Sequence, residues 1–165
     1  MITNLHQLYL YQIEDLYSAE TQIINVFPRM IELAGCENLK SALTTHLDET
    51  RAQLGRVNEI MDTHGGTSRK QTCRAVKGIV EEGEILMENM AGNAVDAGLI
   101  VAAQLLKHYE IAAYGTARAF AEELGYDRDF YLLDETLEEE SAANETLTTI
   151  ATGGLFTEGV NEMAK

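Results

Sequence analysis

The sequence has no tryptophan, one proline and two cysteines among its 165 residues. One proline and 13 glycines are too few for a loop-rich or all-β chain, which needs many turns. Cys36 and Cys73 lie far apart and belong to no Cys-x-x-Cys motif, so we expect two free thiols. Long apolar runs are also missing. The most apolar segment, residues 97–106, is interrupted by Gly98 and Gln104, so we expect no membrane-spanning helix.

Basic residues are scarce as well, because 12 Lys and Arg stand against 27 Asp and Glu, for a formal net charge of −15. An acidic surface repels phosphate backbones and anionic lipid headgroups, which disfavours nucleic-acid and membrane partners. The sequence contains no Gly-x-Gly-x-x-Gly, Gly-x-x-x-x-Gly-Lys or Gly-x-Ser-x-Gly motif, so nucleotide binding and serine-hydrolase chemistry are disfavoured too. The first residues lack the basic and apolar blocks of a signal peptide, which predicts a cytoplasmic protein.

Apolar residues recur every three or four positions through most of the chain, which is the period of a helix with one buried face. The spacing predicts four long helices over about residues 5–34, 38–64, 94–124 and 128–151, and a shorter helix over about 73–90. Gly125 is expected to end the third long helix in a left-handed conformation. We expect the residues from Leu155 onward to form a loosely held tail.

The links between these helices predict how the helices are arranged. Short links join the first long helix to the second and the third to the fourth, and short links make antiparallel neighbours. The middle connection, residues 65–93, is long enough to carry the chain from one end of a bundle to the other. Residues 1–165 are therefore expected to form a single all-α domain, a ferritin-like antiparallel four-helix bundle whose long crossover carries a short fifth helix.

Each long helix carries a glutamate near its middle, on or beside the apolar face. These glutamates are Glu20, Glu49, Glu110 and Glu140. Burying an unpaired carboxylate costs several kcal/mol, and neighbouring carboxylates repel one another. Bundles that gather inward glutamates typically bind two metal ions, whose charge compensates for the carboxylates. The alternative is that the glutamates reach solvent at the edge of the apolar face, or pair with Arg56, Lys107 or Arg118.

Imidazole and amide side chains lie near these glutamates in the helical pattern. His46 precedes the glutamate of the second helix by three residues, which reverses the usual Glu-x-x-His order but keeps both side chains on one face. Gln53 and Asn144 each follow a glutamate by four residues, so their oxygens could bind metal weakly or hold the carboxylates in place. His108 lies roughly 200° around the third helix from its glutamate, and we expect it to support the site or to pack near it.

Four ordered segments around the glutamates have a pattern known from one protein family. They are residues 15–20 (Asp-Leu-Tyr-Ser-Ala-Glu) with 27–30 (Phe-Pro-Arg-Met), 46–50 (His-Leu-Asp-Glu-Thr), 108–115 (His-Tyr-Glu-Ile-Ala-Ala-Tyr-Gly) and 137–140 (Leu-Glu-Glu-Glu). In these segments the chain resembles the YciE/YciF-type stress proteins, a ferritin-like family. The likeness extends over about residues 5–151. The family usually has aspartate where this chain has Asn144, a change that would weaken a metal site or make it less negative.

The resemblance implies a cytoplasmic bacterial stress-response protein that forms a homodimer and holds a rubrerythrin-like centre of two metal ions. Iron is the expected metal and manganese the alternative, with oxygen or peroxide as the substrate of an oxidase, a peroxidase or a manganese catalase. Neither the family nor the fold selects one of these reactions. The expected ligands are Glu20, Glu49, Glu110 and Glu140, followed by His46, Gln53 and Asn144. The alternative function is that of a non-catalytic helical interaction or structural protein without bound metal.

Overall fold

The computed structural model describes residues 1–65, 71–154 and 157–165. The helices are α1 (Leu5–Leu33), α2 (Glu37–Thr63), α3 (Arg74–Asn89), α4 (Ala94–Leu124), α5 (Asp127–Thr152) and α6 (Val160–Met163). After α5, the short strands β1 (Gly153–Gly154) and β2 (Thr157–Glu158) pair antiparallel. The expected all-α class, a four-helix bundle with a helix in the crossover, is confirmed. Within the described residues, no helix is long and apolar enough to cross a membrane.

Contacts at the two ends of the bundle fix the directions of its helices. At one end, Asp96 at the start of α4 accepts hydrogen bonds from the link between α1 and α2. At the other end, His64 follows α2 and lies against Tyr9 near the start of α1 and Asp129 near the start of α5. The connection between α2 and α4 therefore carries the chain from one end of the bundle to the other. Helices α1 and α5 run in one direction, and α2 and α4 run in the opposite one.

The apolar core is divided into two clusters along the length of the bundle. Helix α1 packs against α2 and α4, α5 packs against α4 and α2, and α3 covers α1 and α4. The first apolar cluster includes Ile23, Phe27, Leu43, Leu99 and Leu147, all buried, and lies toward the start of α4. The second apolar cluster includes Tyr9, Ile13, Val57, Tyr114 and Leu133, also buried, and lies toward the start of α5. The segments of the long helices between the two clusters carry most of the buried polar residues.

The ends of two helices follow directly from the residues found there. The side chain of Asn4 accepts a hydrogen bond from the backbone N–H of Gln7 at 2.9 Å and so caps the start of α1. Gly125 ends α4 with φ of 71°, the left-handed conformation expected from the sequence. Both residues satisfy backbone groups that have no partner inside the helix.

The expectation of a loosely held tail is wrong for the tail residues that the structure describes. Val160 in α6 is 2% exposed and belongs to the first apolar cluster. The side chain of Asn93, just before α4, donates a hydrogen bond to the carbonyl of Met163 at 2.9 Å. Gly153 has φ of 79°, which lets the chain turn back sharply after α5. Residues 155 and 156 of the expected tail lie outside the described residues.

Replacing Asp96 with alanine should destabilise the bundle by about 2 kcal/mol. The Asp96 carboxylate accepts the backbone N–H groups of Gly35 at 2.8 Å and Cys36 at 2.9 Å, and so holds the start of α2 against the start of α4. Urea denaturation of Asp96→Ala measures the loss. The control is Asp48→Ala, which removes an exposed pair with Arg51 and should cost less than about 0.5 kcal/mol. Equal losses in the two variants would contradict the assignment.

Candidate metal centre

A layer of buried polar side chains crosses the bundle between the two apolar clusters. This polar layer consists of Glu20, His46, Gln53, Lys107, Glu110 and Glu140. All are 0% exposed except His46, at 4%. They come from α1, α2, α4 and α5. Each of these helices has at least one polar residue near its middle, on the face that is apolar toward both ends of the helix. The polar layer therefore replaces one level of the hydrophobic core.

The three carboxylates of the polar layer face one another from different helices. Glu20 comes from α1, Glu110 from α4 and Glu140 from α5, so the bundle itself sets their separation. Tyr114, one turn beyond Glu110 on α4, donates its hydroxyl to Glu20 across the helix interface. A buried carboxylate without compensation is costly, and three of them together also repel one another. The surrounding groups must therefore supply positive charge or hydrogen-bond donors, or the carboxylates must take up protons.

Lys107 supplies positive charge inside the polar layer. Its ammonium forms ion pairs with Glu110 on the same helix and with Glu140 on α5, the latter at 2.5 Å. Lysine is rarely buried completely, because removing an ammonium from water is expensive unless it is paired. One of the three pairings considered from the sequence, that with Lys107, is confirmed. Arg56 and Arg118 pair instead with carboxylates outside the polar layer.

Burial favours the protonated form of two of the three carboxylates. Burial, together with the charge of Glu140, raises the pKa of Glu20 to about 8. Burial also raises the pKa of Glu110 well above its usual range, in spite of the opposing attraction of Lys107. Burial disfavours ionisation of Glu140 as well, but Lys107 and then His46 outweigh it and lower the pKa of Glu140. Burial disfavours the charged form of Lys107, but the two glutamates it contacts outweigh this and raise its pKa.

His46 presents one ring nitrogen to the polar layer and the other to a carboxylate at its edge. Nδ1 lies 3.0 Å from a carboxylate oxygen of Glu49. When Nδ1 carries the ring proton, it donates to this carboxylate, and Nε2 of the neutral ring then has a free lone pair. Nε2 is buried, has no hydrogen-bond partner and lies 3.9 Å from Oε1 of Glu140. Metal-binding histidines commonly have this arrangement, in which a carboxylate orients the ring from behind.

Gln53 and Arg56 hold the carboxylates of α5 in place from α2. The Gln53 amide donates hydrogen bonds to Glu140 at 2.8 Å and to Glu139 at 3.0 Å. Arg56 forms a two-nitrogen pair with Glu139, with both distances at 2.7 Å, and also contacts Glu135. Arg56 and Gln53 together lower the pKa of Glu139, although its partial burial opposes this. The position of Glu140 is therefore fixed from α2 as well as by its own helix.

Several buried acceptor atoms in and beside the polar layer have no donor. They are Oε2 of Glu20, Nε2 of His46, Oε1 of Gln53, Oε1 of Glu110 and Oδ1 of Asn144. Ligand atoms of His46, Glu110 and Glu140 all lie within 4.8 Å of one another. Buried polar atoms are nearly always paired, so a group of unpaired acceptors indicates a missing positive partner. Carboxylate oxygen and imidazole nitrogen are suitable ligands for iron and manganese, so the residues present fit a metal ion.

The residues predicted from the sequence are not all placed alike. Most of them lie in the polar layer, but Glu49 lies at its edge with a side chain that is 36% exposed. Asn144 lies one turn beyond Glu140 on α5, with its oxygen buried. His108 is exposed on α4, so the expectation that it packs near the site is wrong. Its position two residues from Glu110 turns it away from the bundle, as the helical period requires.

Lys107 and Tyr114 take part in the site without being among the expected ligands. The sequence offered Lys107 only as an alternative partner of the glutamates, and Tyr114 as a candidate hydrogen-bond donor to them. Lys107 precedes Glu110 by three residues and Tyr114 follows it by four, so all three share one face of α4. The complete burial of Lys107 was not expected, because lysine strongly prefers the surface.

A cavity of about 700 Å³ lies between α2 and α5 and reaches the edge of the polar layer. His46, Glu49 and Glu139 line it on that side, while alanines, Leu147 and Ile150 line much of the rest. The cavity is partly open to solvent, so a small molecule can approach His46 without separating the helices.

Comparisons with known proteins agree with this architecture. Residues 4–164 match the domain of unknown function DUF892. The chain is 37% identical over 149 residues to the protein YciF of Escherichia coli K12, covering 89% of this chain and 90% of that one. The crystal structure of that stress protein superimposes with a TM-score of 0.85 at 35% identity, covering 89% of this chain and 94% of the other.

Two other solved structures have the same fold. YcfI of Rhodopseudomonas palustris, described as a candidate structural protein, gives a TM-score of 0.87 at 38% identity and covers 91% of this chain and 96% of its own. A protein of Xanthomonas campestris gives 0.71 at 18% identity, with 88% and 90% covered, which shows the fold alone. The family match over nearly the whole chain and the identity to YciF establish that this chain belongs to the DUF892 family of YciF-type stress proteins.

Proposed function

We propose that the polar layer is a metal-binding centre, with iron as its metal and manganese as the alternative. The observation that carries this proposal is the group of buried acceptors without donors, which come from α1, α2, α4 and α5. A core that only needed to be stable would be filled with apolar side chains, because replacing buried charged groups by apolar ones is often stabilising. Buried ionisable groups in mutual contact are typical of a functional site.

The residues that would hold the metal are His46, Glu110 and Glu140, whose ligand atoms are already close together. Glu20 adds a third carboxylate from α1, and its unpaired Oε2 is free to bind. Glu49 orients His46 from behind, and it becomes a ligand only if its side chain turns inward from its exposed position. Gln53 keeps Glu140 in place through a hydrogen bond at 2.8 Å. Ligands from four helices give a rigid site, because each one is fixed by the packing of the bundle.

Iron or manganese bound here would supply the redox chemistry that reaction with oxygen or peroxide requires. The protein contributes what surrounds it. The apolar clusters above and below keep bulk water out of the polar layer, and the cavity between α2 and α5 admits a small molecule. The Tyr114 hydroxyl holds a proton against Glu20. Oxidation, peroxide reduction and peroxide dismutation all remain candidate reactions, and assays with each metal separate them.

The second candidate function is that of a structural or interaction protein without metal. Its support is Lys107, whose two ion pairs compensate part of the buried charge without any ligand. The description of one relative, YcfI, as a candidate structural protein also fits this reading. The unpaired acceptors weigh against it, because ion pairs with Lys107 leave them unsatisfied. A homodimer in the cytoplasm, without nucleic-acid or membrane partners, is the assembly we propose under either function.

Protein purified from cells grown with added iron should contain bound transition metal, and His46→Ala should lose most of it, because the variant lacks the unpaired imidazole nitrogen. Elemental analysis measures the content. The control is His108→Ala, which removes an exposed histidine on α4 and should retain full occupancy. Wild-type protein with less than about a tenth of an equivalent of any transition metal would refute the proposal.

Added metal should also stabilise the folded protein. A ligand present at about 100 times its dissociation constant stabilises the native state by about 2.7 kcal/mol. Thermal unfolding with and without Fe²⁺ or Mn²⁺ should therefore show a rise in Tm for wild-type protein and for His108→Ala, which removes an exposed histidine outside the polar layer. Glu140→Gln should show little rise. An unchanged Tm in the wild type would favour the structural function.

Metal-free protein should become less stable as the pH rises. The folded-state pKa of Glu20 is about 8, above its ordinary value of 4.5, so the folded chain binds the extra proton between these values. The resulting stability is present at low pH and lost as the pH rises through 8. Urea denaturation in a chelator should show a loss on the order of 3 kcal/mol from about pH 5.5 to about pH 8.5.

The variant Glu20→Gln keeps the shape of the side chain but cannot ionise, so its stability should depend much less on pH. Glu145→Gln, at an exposed position on α5, is the matched control and should behave as the wild type does. An unchanged pH dependence in Glu20→Gln would show that another group is responsible.

A further inference from the structure

We propose that the ammonium of Lys107 takes the place of a second metal ion, so that the polar layer of this chain holds one ion and not two. This inference rests on the proposed metal-binding function and specifies its stoichiometry. It departs from the two-ion centre that the family resemblance implied. The residues that carry it are Lys107, Glu110 and Glu140.

The position of Lys107 is that of a bridging cation. Its Nζ pairs with Oε2 of Glu110 on α4 and with Oε2 of Glu140 on α5, and all three side chains are 0% exposed. A metal ion shared between carboxylates of facing helices would need these same oxygens. The lysine reaches them without leaving its own helix, because Lys107 and Glu110 are three residues apart on one face.

Each of the two carboxylates also has an oxygen within 4.8 Å of a ring nitrogen of His46. Oε1 of Glu110 has no hydrogen-bond partner. Oε1 of Glu140 lies 3.9 Å from Nε2 of His46 and accepts a hydrogen bond from Gln53. His46, Glu110 and Glu140 thus offer ligands for one metal ion, while Lys107 pairs with the Oε2 atoms that a second ion would need.

Charge balance leads to the same stoichiometry. Glu20, Glu110 and Glu140, when ionised, carry three negative charges, and Lys107 carries one positive charge. One divalent ion brings the sum to zero. A second divalent ion would leave two uncompensated positive charges in a buried layer, which is as costly as uncompensated negative charge. Glu49 is the nearest further carboxylate on α2, and its side chain remains 36% exposed.

The test is to count the Mn²⁺ ions that each variant binds, by equilibrium dialysis and elemental analysis, and to record electron paramagnetic resonance spectra. Wild-type protein should bind one Mn²⁺ per chain and give the six-line spectrum of an isolated ion. Lys107→Met, which removes the ammonium but keeps a side chain of similar length, should bind two and show spin coupling between them. Lys107→Arg keeps the charge and should bind one. The matched control is Lys77→Met, which removes an exposed lysine on α3 and should also bind one.

The outcomes separate this inference from the proposed function. Wild-type protein that binds no Mn²⁺ and no iron overturns the proposed function and the inference with it. Wild-type protein that binds two coupled ions supports the proposed function and overturns the inference alone. One ion in both the wild type and Lys107→Met also overturns it. If Lys107→Met does not fold, the ion counts and spectra of the wild type and of Lys107→Arg decide, since two ions in either would refute the role of the ammonium.

Discussion

The need to compensate three carboxylates buried at one level of the bundle determines the arrangement of the residues around them. The three carboxylates are compensated in two ways. In spite of burial, Lys107 lowers the pKa of Glu140, which also accepts a hydrogen bond from Gln53, while burial favours the protonated forms of Glu20 and Glu110. These arrangements draw on α1, α2, α4 and α5, so none of these helices can shift along its axis without breaking one of them. The polar layer thus sets the register of the four helices, a recognised use of buried polar groups.

The two apolar clusters offset the energetic cost of the polar layer. They lie on either side of it and contain most of the buried aliphatic and aromatic side chains. A fully buried Leu, Ile or Phe contributes about 1.5–3 kcal/mol to the stability of the fold, so two clusters of this size can offset the cost of the polar layer. Proteins keep such unfavourable polar groups where function needs them and compensate elsewhere in the fold. The position of the polar layer between two apolar clusters is therefore an argument that the polar layer has a function.

The sequence predicted the fold class and the burial of three glutamates, because both depend on the helical period alone. Glu20, Glu110 and Glu140 fall in register with apolar neighbours and are buried as that register requires. Glu49 was less predictable. At 100° per residue, it lies about 60° around α2 from His46, while Gln53 lies within about 20° of it, so the helix directs Glu49 toward the edge. The helical period could not predict that Lys107 pairs with Glu140 on α5, or that the chain turns back and buries Val160. Both depend on contacts between distant segments of the chain.

The internal ammonium also affects how the proposed metal binding would relate to folding. In small metal-dependent domains the apo chain stays unfolded, because nothing else compensates the ligands. Here Lys107, the Tyr114 hydroxyl and protonation of Glu20 already compensate most of the buried charge. The bundle can therefore fold before any metal arrives, and its apolar clusters do not depend on an ion. If the polar layer binds metal as proposed, the metal must displace protons, mainly from Glu20 and Glu110, so its affinity should rise with pH. Under that proposal the lysine separates the stability of the fold from the occupancy of the site, so that occupancy can follow the supply of metal.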